Sequence, residues 1–561
     1  MRVRSVAIRD FRALRAADLA VDGNAMLIGE SGAGCSTLML AVDRVLGAAP
    51  RDGLVEIAEQ DFHCGRSGAR ARALSIDLAL ERTPGVGWPS ALAGVVDADE
   101  SALHVRVRGE LGAGGARAEA LLVRGGREEA LGEAALGALR RSAPSFFLDP
   151  ESFRAALREP GAAPGPAPAD DAASRLVSEV RRIAALGSAA SASDVAGALG
   201  ALRAFVVDWA ERASPGETAP TGEALGARVG PIPMPALETI DLVRDPEDPR
   251  AAALLMAIGV LCEVARSRPS EPDASPILLL DNIGAGLHPR WLAALAAIVG
   301  GLPGQRIVHS HSAELISWVG LETLRRVETV GGVATVRSVN VGSLSGAQSR
   351  RIAHHIRRTR AGALLSRCWL LVEGESEAWL LPEFAHLLGV DLRVEGVQCV
   401  EFAQAGLDAM VRLADMLGIG WVLLVDGDEA GASYAGVAES MLGRRPADAH
   451  IVRLPARDIE RCLYGWGFAR VYEKAAGRGA SARLRRAGDP QGVIRAAIKA
   501  KSKPDMAIAV LEEAHRRGPD ATPPEVRRVI EIAVAKARGR GGPWSVGDGG
   551  GARGARGRSR K

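Results

Sequence analysis

The chain has 561 residues, of which 47% are hydrophobic, and a formal net charge of +3. It is too long for one hydrophobic core and predicts two or three domains; no run approaches the roughly 18 apolar residues of a membrane span. The N-terminus lacks a signal peptide and the six cysteines form no C-x-x-C pair, so we expect a cytoplasmic protein without membrane contact, disulfide framework or structural zinc.

The first 50 residues follow the pattern with which a P-loop domain begins. A strand over RVRSVAIRDFRAL, a strand over NAMLIG, the loop ESGAG and a helix closing on Gly47 are predicted in that order. Strict alternation over 74–80 and 103–107 predicts antiparallel strands. Farther along, PILLLD and QRIVHSHS with their neighbouring helices complete a nucleotide-binding sheet, and about 155–235 is predicted to be a linker and inserted helical arm.

The Gly-rich loop departs from the P-loop pattern at one position. Residues 29–37, GESGAGCST, fit G-x-x-x-x-G-K-[ST] except that Cys35 replaces the lysine. The glycines still allow backbone N–H groups to surround a phosphate, but a cysteine cannot neutralise the β- and γ-phosphates during hydrolysis. We expect nucleotide (ATP) binding with weak or absent hydrolysis; a purely structural fold and a working ATPase with an unusual loop remain alternatives.

The acidic strand end shows a parallel loss. Asp281 is suited to hold Mg²⁺ through Ser36, but Asn282 stands where a carboxylate would activate water, and an amide cannot take a proton. His311 follows the next strand, where ABC-type ATPases place a γ-phosphate-sensing histidine. The predicted nucleotide site comprises Gly29, Gly32, Gly34, Cys35, Ser36, Thr37, Asp281, Asn282 and His311.

A second α/β alternation begins at Cys368. The strands CWLLVEG, VQCVEFA, WVLLVDGDEAG and HIVRLP are separated by predicted helices that end at Gly389, Gly418 and Gly443. Such continuous apolar runs indicate a small parallel sheet. The remainder to about Ala537 is predicted to be helical and is fairly basic. The Gly/Arg-rich tail 538–561 is predicted to be disordered, either as a solubilising tail or as a non-specific phosphate-binding arm.

Four carboxylates follow two of these strands. Glu373 ends one strand with Glu377 a helical turn beyond it, and Asp426 and Asp428 end another. Because parallel strands share a carboxyl edge, the four can converge and bind Mg²⁺ or Mn²⁺. Two ions about 3.5 to 4 Å apart stabilise both the attacking and the leaving oxygens of a phosphodiester. Either motif alone is usually a turn signal, but together they predict a metal site.

Two further features downstream are less specific. Asp458 and Glu460 precede a helix, which is commonly an N-cap arrangement, and Lys503 could be an ordinary surface lysine. The alternatives are that Glu460 is a ligand of a second metal and that Lys503 is catalytic.

The two halves in this order resemble the overcoming-lysogenization-defect (OLD) nuclease family, in which an ABC-type ATPase precedes a Toprim nuclease. The resemblance is strongest from SRCWLLVEGESEAWLLPEFA through WVLLVDGDEAG to KSKPDMAIAV. It implies Mg²⁺- or Mn²⁺-dependent nicking or cleavage of DNA, a homodimer formed through the ATPase half, and a role in phage defence or DNA repair. By matching motif, it implies that Glu373, Glu377, Asp426 and Asp428 bind one metal, that Glu460 helps hold the second, and that Lys503 stabilises the transition state.

The predicted fold is α/β, with an ABC-type P-loop ATPase domain and inserted helical arm (1–350) followed by a Toprim domain with a helical C-terminal region (364–537). The predicted function is a Mg/Mn-dependent endodeoxyribonuclease with a degenerate ATPase module. A topoisomerase or primase would share the Toprim acids, but the chain offers no tyrosine outside the Toprim half and no zinc module. The alternative from another class is a non-catalytic DNA-binding clamp of RecF or SMC type; the sequence does not indicate whether a helicase is a partner.

Overall fold

The computed structural model describes most of the chain. It covers 1–149 with short gaps (48–52, 66–67, 83–87, 94 and 97–99), scattered positions between 175 and 204, residues 274–282, positions 292 and 296, 304–359 and 361–539. Residues 1–339 and 340–561 form two compact units, each held together by contacts within itself. The predicted linker and helical arm, the helices flanking PILLLD, and the basic tail lie almost wholly outside the described residues. The predicted domain limits at 350 and 364 stay a prediction.

The first unit contains a twelve-stranded sheet in the order β7-β6-β5-β4-β1-β2-β12-β11-β3-β10-β9-β8. Strands β8 to β11 and β3 pair in parallel, whereas β1, β2 and β4 to β7 pair as antiparallel neighbours. The strands are Arg2–Phe11, Leu14–Ala20, Ala25–Gly29, Ala73–Glu81, Ala102–Gly112, Gly115–Arg124, Arg127–Ala130, Ser145–Leu148, Ile277–Asp281, Gln305–His309, Leu324–Val330 and Val333–Ser338.

The described helices of this unit are α1 (Cys35–Leu46), α2 (Glu133–Ser142) and α3 (Ala313–Trp318). Helix α1 buries its apolar side chains against β1, β4 and the parallel strands, as its leucines, valines and alanines favour. The predicted antiparallel strands over 74–80 and 103–107 are confirmed as neighbours, β4 and β5. The sheet is therefore a mixed one, with parallel and antiparallel pairs.

One element of the first 50 residues differs from the prediction. The predicted single strand over residues 2–14 is a hairpin of β1 and β2, which turns at Arg12 with a φ of 51°. The turn carries no glycine or proline, so the alternating apolar pattern runs through it without a signal. The carbonyl of Asp61 accepts the Arg12 N–H at 2.8 Å, a contact that the local sequence cannot indicate.

The second unit contains a four-stranded parallel sheet, which confirms the predicted second α/β alternation. The strands β13 (Cys368–Val372), β14 (Val397–Glu401), β15 (Gly420–Val425) and β16 (Ile451–Arg453) lie in the order β14-β13-β15-β16. Helices α5 (Glu375–Leu387), α6 (Leu407–Leu417) and α7 (Glu429–Met441) connect them, after the short helix α4 (Gly346–Ile352). Every residue of β13 is buried, as expected for a central strand covered on both faces.

The predicted helical C-terminal region is also confirmed. It consists of α8 (Ile459–Leu463), a π-helical turn (Tyr464–Phe468), α9 (Ala469–Ala476), α10 (Arg478–Arg486), α11 (Pro490–Ala500), α12 (Lys503–Arg517) and α13 (Pro524–Ala537). Helix α13 packs on β13 and β15, and α12 packs on α5. No helix among the described residues is long and apolar enough to cross a membrane.

Candidate metal centre

The carboxyl ends of β13 and β15 place three acidic residues at one edge of the parallel sheet. Glu373 follows β13 directly, Asp426 follows β15, and Asp428 begins α7, where its side chain accepts the Gly431 N–H at 2.9 Å. A Cβ on Gly431 would lie 2.0 Å from the Asp426 carbonyl oxygen, so this tight turn requires glycine. The predicted convergence of the two strand ends is therefore a consequence of strand order and turn chemistry.

Glu377 lies one helical turn into α5 and is 7% exposed. Its Oε2 accepts the Gly374 N–H at 3.1 Å, which closes the helix N-terminus and aims the carboxylate back toward the strand end. Glu377 therefore lies on the buried face of α5, whereas a surface glutamate would lie on the opposite, solvent-exposed face.

The two members of the acidic pair after β16 are oriented differently. Asp458 is the N-cap of α8, accepting the Arg461 N–H at 2.8 Å, and its other oxygen contacts the Arg461 guanidinium. Glu460 is 7% exposed and its Oε1 lies 3.1 Å from the Lys503 Nζ. The cap is thus provided by Asp458, whereas Glu460 points inward.

These side chains line one cavity of about 360 Å³. Helix α5, the end of β15, the loop into α8 and the start of α12 form its wall. Its lining comprises Glu373, Gly374, Glu375, Ser376, Glu377, Trp379, Asp426, Asp458, Glu460, Lys503, Pro504 and Ala507. Asp428 is not in this lining, but burial and then the nearby charge of Asp428 raise the pKa of Glu373.

Burial, and after it mutual repulsion, raises the pKa values of the carboxyl groups at the site. Burial raises the pKa of Asp426 to about 7, and the neighbouring charges of Glu377 and Glu373 add to that effect. Burial raises the pKa of Glu377 to about 7 as well, with a further contribution from Glu460. For Lys503, burial lowers the pKa but the adjacent Glu460 outweighs it, so that its pKa is raised and the ammonium is retained.

The donor set suits a hard divalent cation. Buried carboxylates that repel one another are stabilised by a cation, and oxygen ligands select Mg²⁺ or Mn²⁺. Oε2 of Glu373 is buried without a hydrogen-bond partner, which leaves an acceptor pointing into the protein. No three His, Cys, Asp or Glu side chains among the described residues are grouped so that they could hold an ion. Ion binding would therefore require the carboxylates to rotate toward one another.

The first unit retains the shape of a phosphate loop. Helix α1 begins at Cys35 after Gly34, whose φ is 94° and whose added Cβ would lie 2.6 Å from the Leu14 side chain. Cys35 is 3% exposed, and burial followed by the charge of Asp281 raises the pKa of its thiol to about 12. The position that a lysine would occupy thus carries a buried neutral group, and Ser36 and Thr37 follow it in the first turn of α1.

Asp281 already has a protein partner. Its Oδ1 lies 2.6 Å from Nδ1 of His309, at the end of the neighbouring strand β10. Asn282 has a φ of 50° and donates its N–H to the His309 carbonyl. His311 lies against Gly29 and edge-on to His309, with ring centroids 4.8 Å apart, and burial lowers its pKa. The predicted nucleotide-site residues thus come together around the strand ends, whereas His309 was missed.

Two residues of the acidic cavity escaped the sequence prediction in different ways. The sequence pattern places Asp458 in a pair that is commonly an N-cap arrangement, although the residue also lines the cavity. Trp379, which is 51% exposed, was not considered. A tryptophan in an amphipathic helix usually faces a core. In α5, however, Glu377 lies on the buried face and Trp379 on the exposed one. The orientation of the helix, which the sequence does not give, is needed to place Trp379 at the cavity.

Two family models match adjacent segments of the chain. Residues 173–363 match "Protein of unknown function (DUF2813)", and residues 364–428 match "Overcoming lysogenization defect protein-like, TOPRIM domain". The second match contains Glu373, Glu377, Asp426 and Asp428 and stops before Asp458. The latter part of the cavity is therefore assigned by geometry alone.

A curated relative and several solved structures are similar to the chain. "Uncharacterized protein YbjD" of Escherichia coli K12 is 38% identical over 274 residues, 48% of this chain and 49% of the relative, so the match spans about half the relative's length. An SMC head bound to the C-winged helix domain of ScpA aligns with 61% of this chain and 99% of its own, at 13% identity and a TM-score of 0.35.

The C-terminal region of the Burkholderia pseudomallei OLD protein aligns with 31% of this chain and 98% of its own, at 17% identity and a TM-score of 0.27. That of Xanthomonas campestris pv. campestris gives 19% identity and a TM-score of 0.26, covering 31% and 94%. Likenesses this weak carry no conclusion, and the fold rests on the strand order described above.

Proposed function

Because residues 364–428 are an OLD-like Toprim domain, we propose that the chain is a divalent-cation-dependent nuclease that cleaves DNA phosphodiesters in the acidic cavity. The observation that carries the proposal is the convergence of Glu373, Glu377 and Asp426 in one cavity with Glu460 and Lys503. Structural carboxylates are normally paired with cations or left in water. Here buried and half-buried carboxylates that repel one another face an open space, an arrangement that destabilises the protein unless a cation is bound.

Each residue has a chemical role in this proposal. Glu373, Glu377, Asp426 and Asp428 would hold Mg²⁺ or Mn²⁺, with Glu460 assisting at a second position, and the ions would supply Lewis acidity and an activated water. The ammonium of Lys503, fixed by Glu460 at 3.1 Å, projects positive charge into the cavity. That charge stabilises the negative charge that develops on the phosphoryl oxygens in the transition state.

Plasmid cleavage tests the proposal directly. Supercoiled plasmid incubated with the full chain and Mn²⁺ or Mg²⁺, with and without ATP, is expected to be nicked or linearised. Asp426→Asn, which preserves the shape of the side chain and removes its charge, should abolish the reaction. Intact supercoiled DNA with the unmodified chain would favour a non-catalytic clamp, and relaxation to closed circles would favour a topoisomerase.

For the first unit we propose ATP binding with little or no hydrolysis, together with a homodimer formed through this unit. The buried neutral thiol of Cys35 and the pairing of Asp281 with His309 support the lack of hydrolysis, since both catalytic charges of an ATPase are missing or engaged. ATP turnover by the pure chain should not exceed that of Asp281→Asn. Ordinary ATPase rates would refute the proposal, and Cys35→Lys combined with Asn282→Glu is the informative comparison. A role in phage defence or DNA repair stays a prediction.

A further inference from the structure

A strongly basic helical segment lies between the acidic strand ends and Lys503. Residues 469–501 contain nine basic and two acidic residues, whereas the whole chain has a net charge of only +3. Every one of the nine is exposed. They are Arg470, Lys474, Arg478, Arg483, Arg485, Arg486, Arg495, Lys499 and Lys501.

The segment folds as one packed group. Helix α9 packs on both α10 and α11, and α10 packs on α11. In α10, at about 100° per residue, the four arginines fall within an arc of about 160°. Ser481, which is buried, and Leu484, which packs on the core, lie on the other side of that helix. The basic face of α10 is therefore directed outward by the packing of its apolar face.

Few of these charges are neutralised within the protein. Arg485 lies 3.8 Å from Glu473 and Arg495 lies 3.9 Å from Asp489, both as loose surface pairs. Exposed pairs of this kind are worth roughly 0 to 1 kcal/mol, so they yield readily to a stronger anion. None of the other seven has an acidic partner within 4 Å among the described residues. These helices thus expose a concentration of like charge that an external polyanion would neutralise.

We propose that α9, α10 and α11 form a docking surface for the phosphate backbone of duplex DNA, continuous with the acidic cavity. The proposal deepens the nuclease function proposed above and rests on it. Lys501 is exposed only two residues before Lys503, whose side chain lines the cavity. Helix α12, which begins at Lys503, packs on α9 and α11. The acidic site by itself repels a polyanion, and an adjacent basic surface compensates for this repulsion.

The surface fits nucleic acid better than an anionic membrane. A helix that binds a membrane surface exposes an apolar face, which enters the lipid, beside its basic residues. Between 469 and 501 no large apolar side chain is exposed among the described residues. Arginine, which supplies six of the nine charges, binds phosphate in a bidentate manner through its planar fork. Contacts of this kind would be to the backbone and independent of base sequence.

The test compares two four-site variants of the full chain, both in the Asp426→Asn background so that DNA stays intact. In the docking variant Arg478, Arg483, Arg485 and Arg486 become Gln; in the control, Arg393, Arg412, Arg444 and Arg528, which are exposed elsewhere in the same unit, become Gln. Binding to a fluorescent duplex is measured by anisotropy at several salt concentrations. Each lost phosphate contact reduces the slope of log K against log salt by about 0.9, so the docking variant should lose about 3 to 4.

The control should keep the original slope. Equal slopes for the docking variant and the unmodified chain, equal losses in both variants, or binding to phosphatidylserine vesicles in preference to the duplex would each overturn the proposal. Unchanged melting temperatures in both variants exclude misfolding as the cause of a loss.

A second measurement separates this proposal from the nuclease function. With Asp426 restored, the docking variant should cleave plasmid at least 10-fold more slowly at 0.1 M salt but hydrolyse bis(4-nitrophenyl) phosphate, which is too small to reach α10, at the unmodified rate. Loss of both activities would refute a docking role. If the unmodified chain bound duplex through α10 but cleaved neither substrate, the nuclease proposal would fail while the docking surface stood.

Discussion

Metal binding at the acidic cavity should depend steeply on pH. Asp426 and Glu377 both have a pKa of about 7, raised by burial and by their acidic neighbours. A divalent cation binds the ionised carboxylates, so protons and metal compete. Between pH 8 and pH 6 the ionised fraction of a group with a pKa near 7 falls about 10-fold. Two such groups lower the metal affinity by about 100-fold over the same interval.

Isothermal titration of the DNA-free chain with Mn²⁺, at constant ionic strength from pH 5.5 to 8.5, measures this effect. At pH 6, titrations in buffers of different ionisation enthalpy should show nearly two protons released per bound ion. Asp426→Asn removes one of the titrating groups and should roughly halve the number of protons released. An affinity that varies less than about 2-fold across the range would refute the reasoning, because it would mean that the carboxylates are already ionised and held by other partners.

Three further outcomes follow from the same geometry. Without metal, the raised carboxyl pKa values mean that the folded chain binds more protons than the unfolded chain between pH 4.5 and 7, so stability should fall as pH rises through that window. Thermal melts in EDTA should show this slope, and Asp426→Asn should flatten it. Lys503→Gln should lower kcat by about 10²- to 10³-fold, as loss of a transition-state donor does, while Mn²⁺ affinity, measured by titration, is not weakened; Lys503→Arg should retain partial activity. Trp379 lines the cavity and is 51% exposed, so its ring is accessible for stacking on an unpaired base. Loss of about 1 to 3 kcal/mol of stacking in Trp379→Ala should raise KM for DNA by about 5- to 150-fold. Hydrolysis of bis(4-nitrophenyl) phosphate should be unaffected, and an equal loss on both substrates would contradict stacking.

Much of the second unit could be predicted because its signals are local. Continuous apolar runs mark the four buried parallel strands, and two of them end in the turn signals E-G and D-G-D. The meeting of Glu373 with Asp426 then follows from β13 and β15 being parallel neighbours. No local signal indicated that Glu460 and Lys503 would meet, because they lie in different helices, α8 and α12, and their contact depends on how these helices fold together.

The first unit was harder to predict for a different reason. The sequence shows that the P-loop lysine is absent, but it does not show which side chain pairs with the carboxylate of Asp281. Asp281 pairs with His309 because the two residues lie opposite each other in the adjacent parallel strands β9 and β10. The segment HSHSAEL contains two histidines, His309 and His311, and the ABC-type ATPase pattern favours His311. Only the strand register distinguishes which of them faces Asp281.

The arrangement of the acidic cavity also explains why a lysine from the helical extension completes it. The strand ends supply only negative charge, and a cation bound there would be electrostatically balanced without any help from Lys503. The ammonium is instead paired with Glu460, on the side of the cavity nearest the basic helices. In the proposed nuclease, an incoming phosphate would therefore meet positive charge before it reaches the carboxylates, and we expect the parallel sheet and the C-terminal helices to act as one unit.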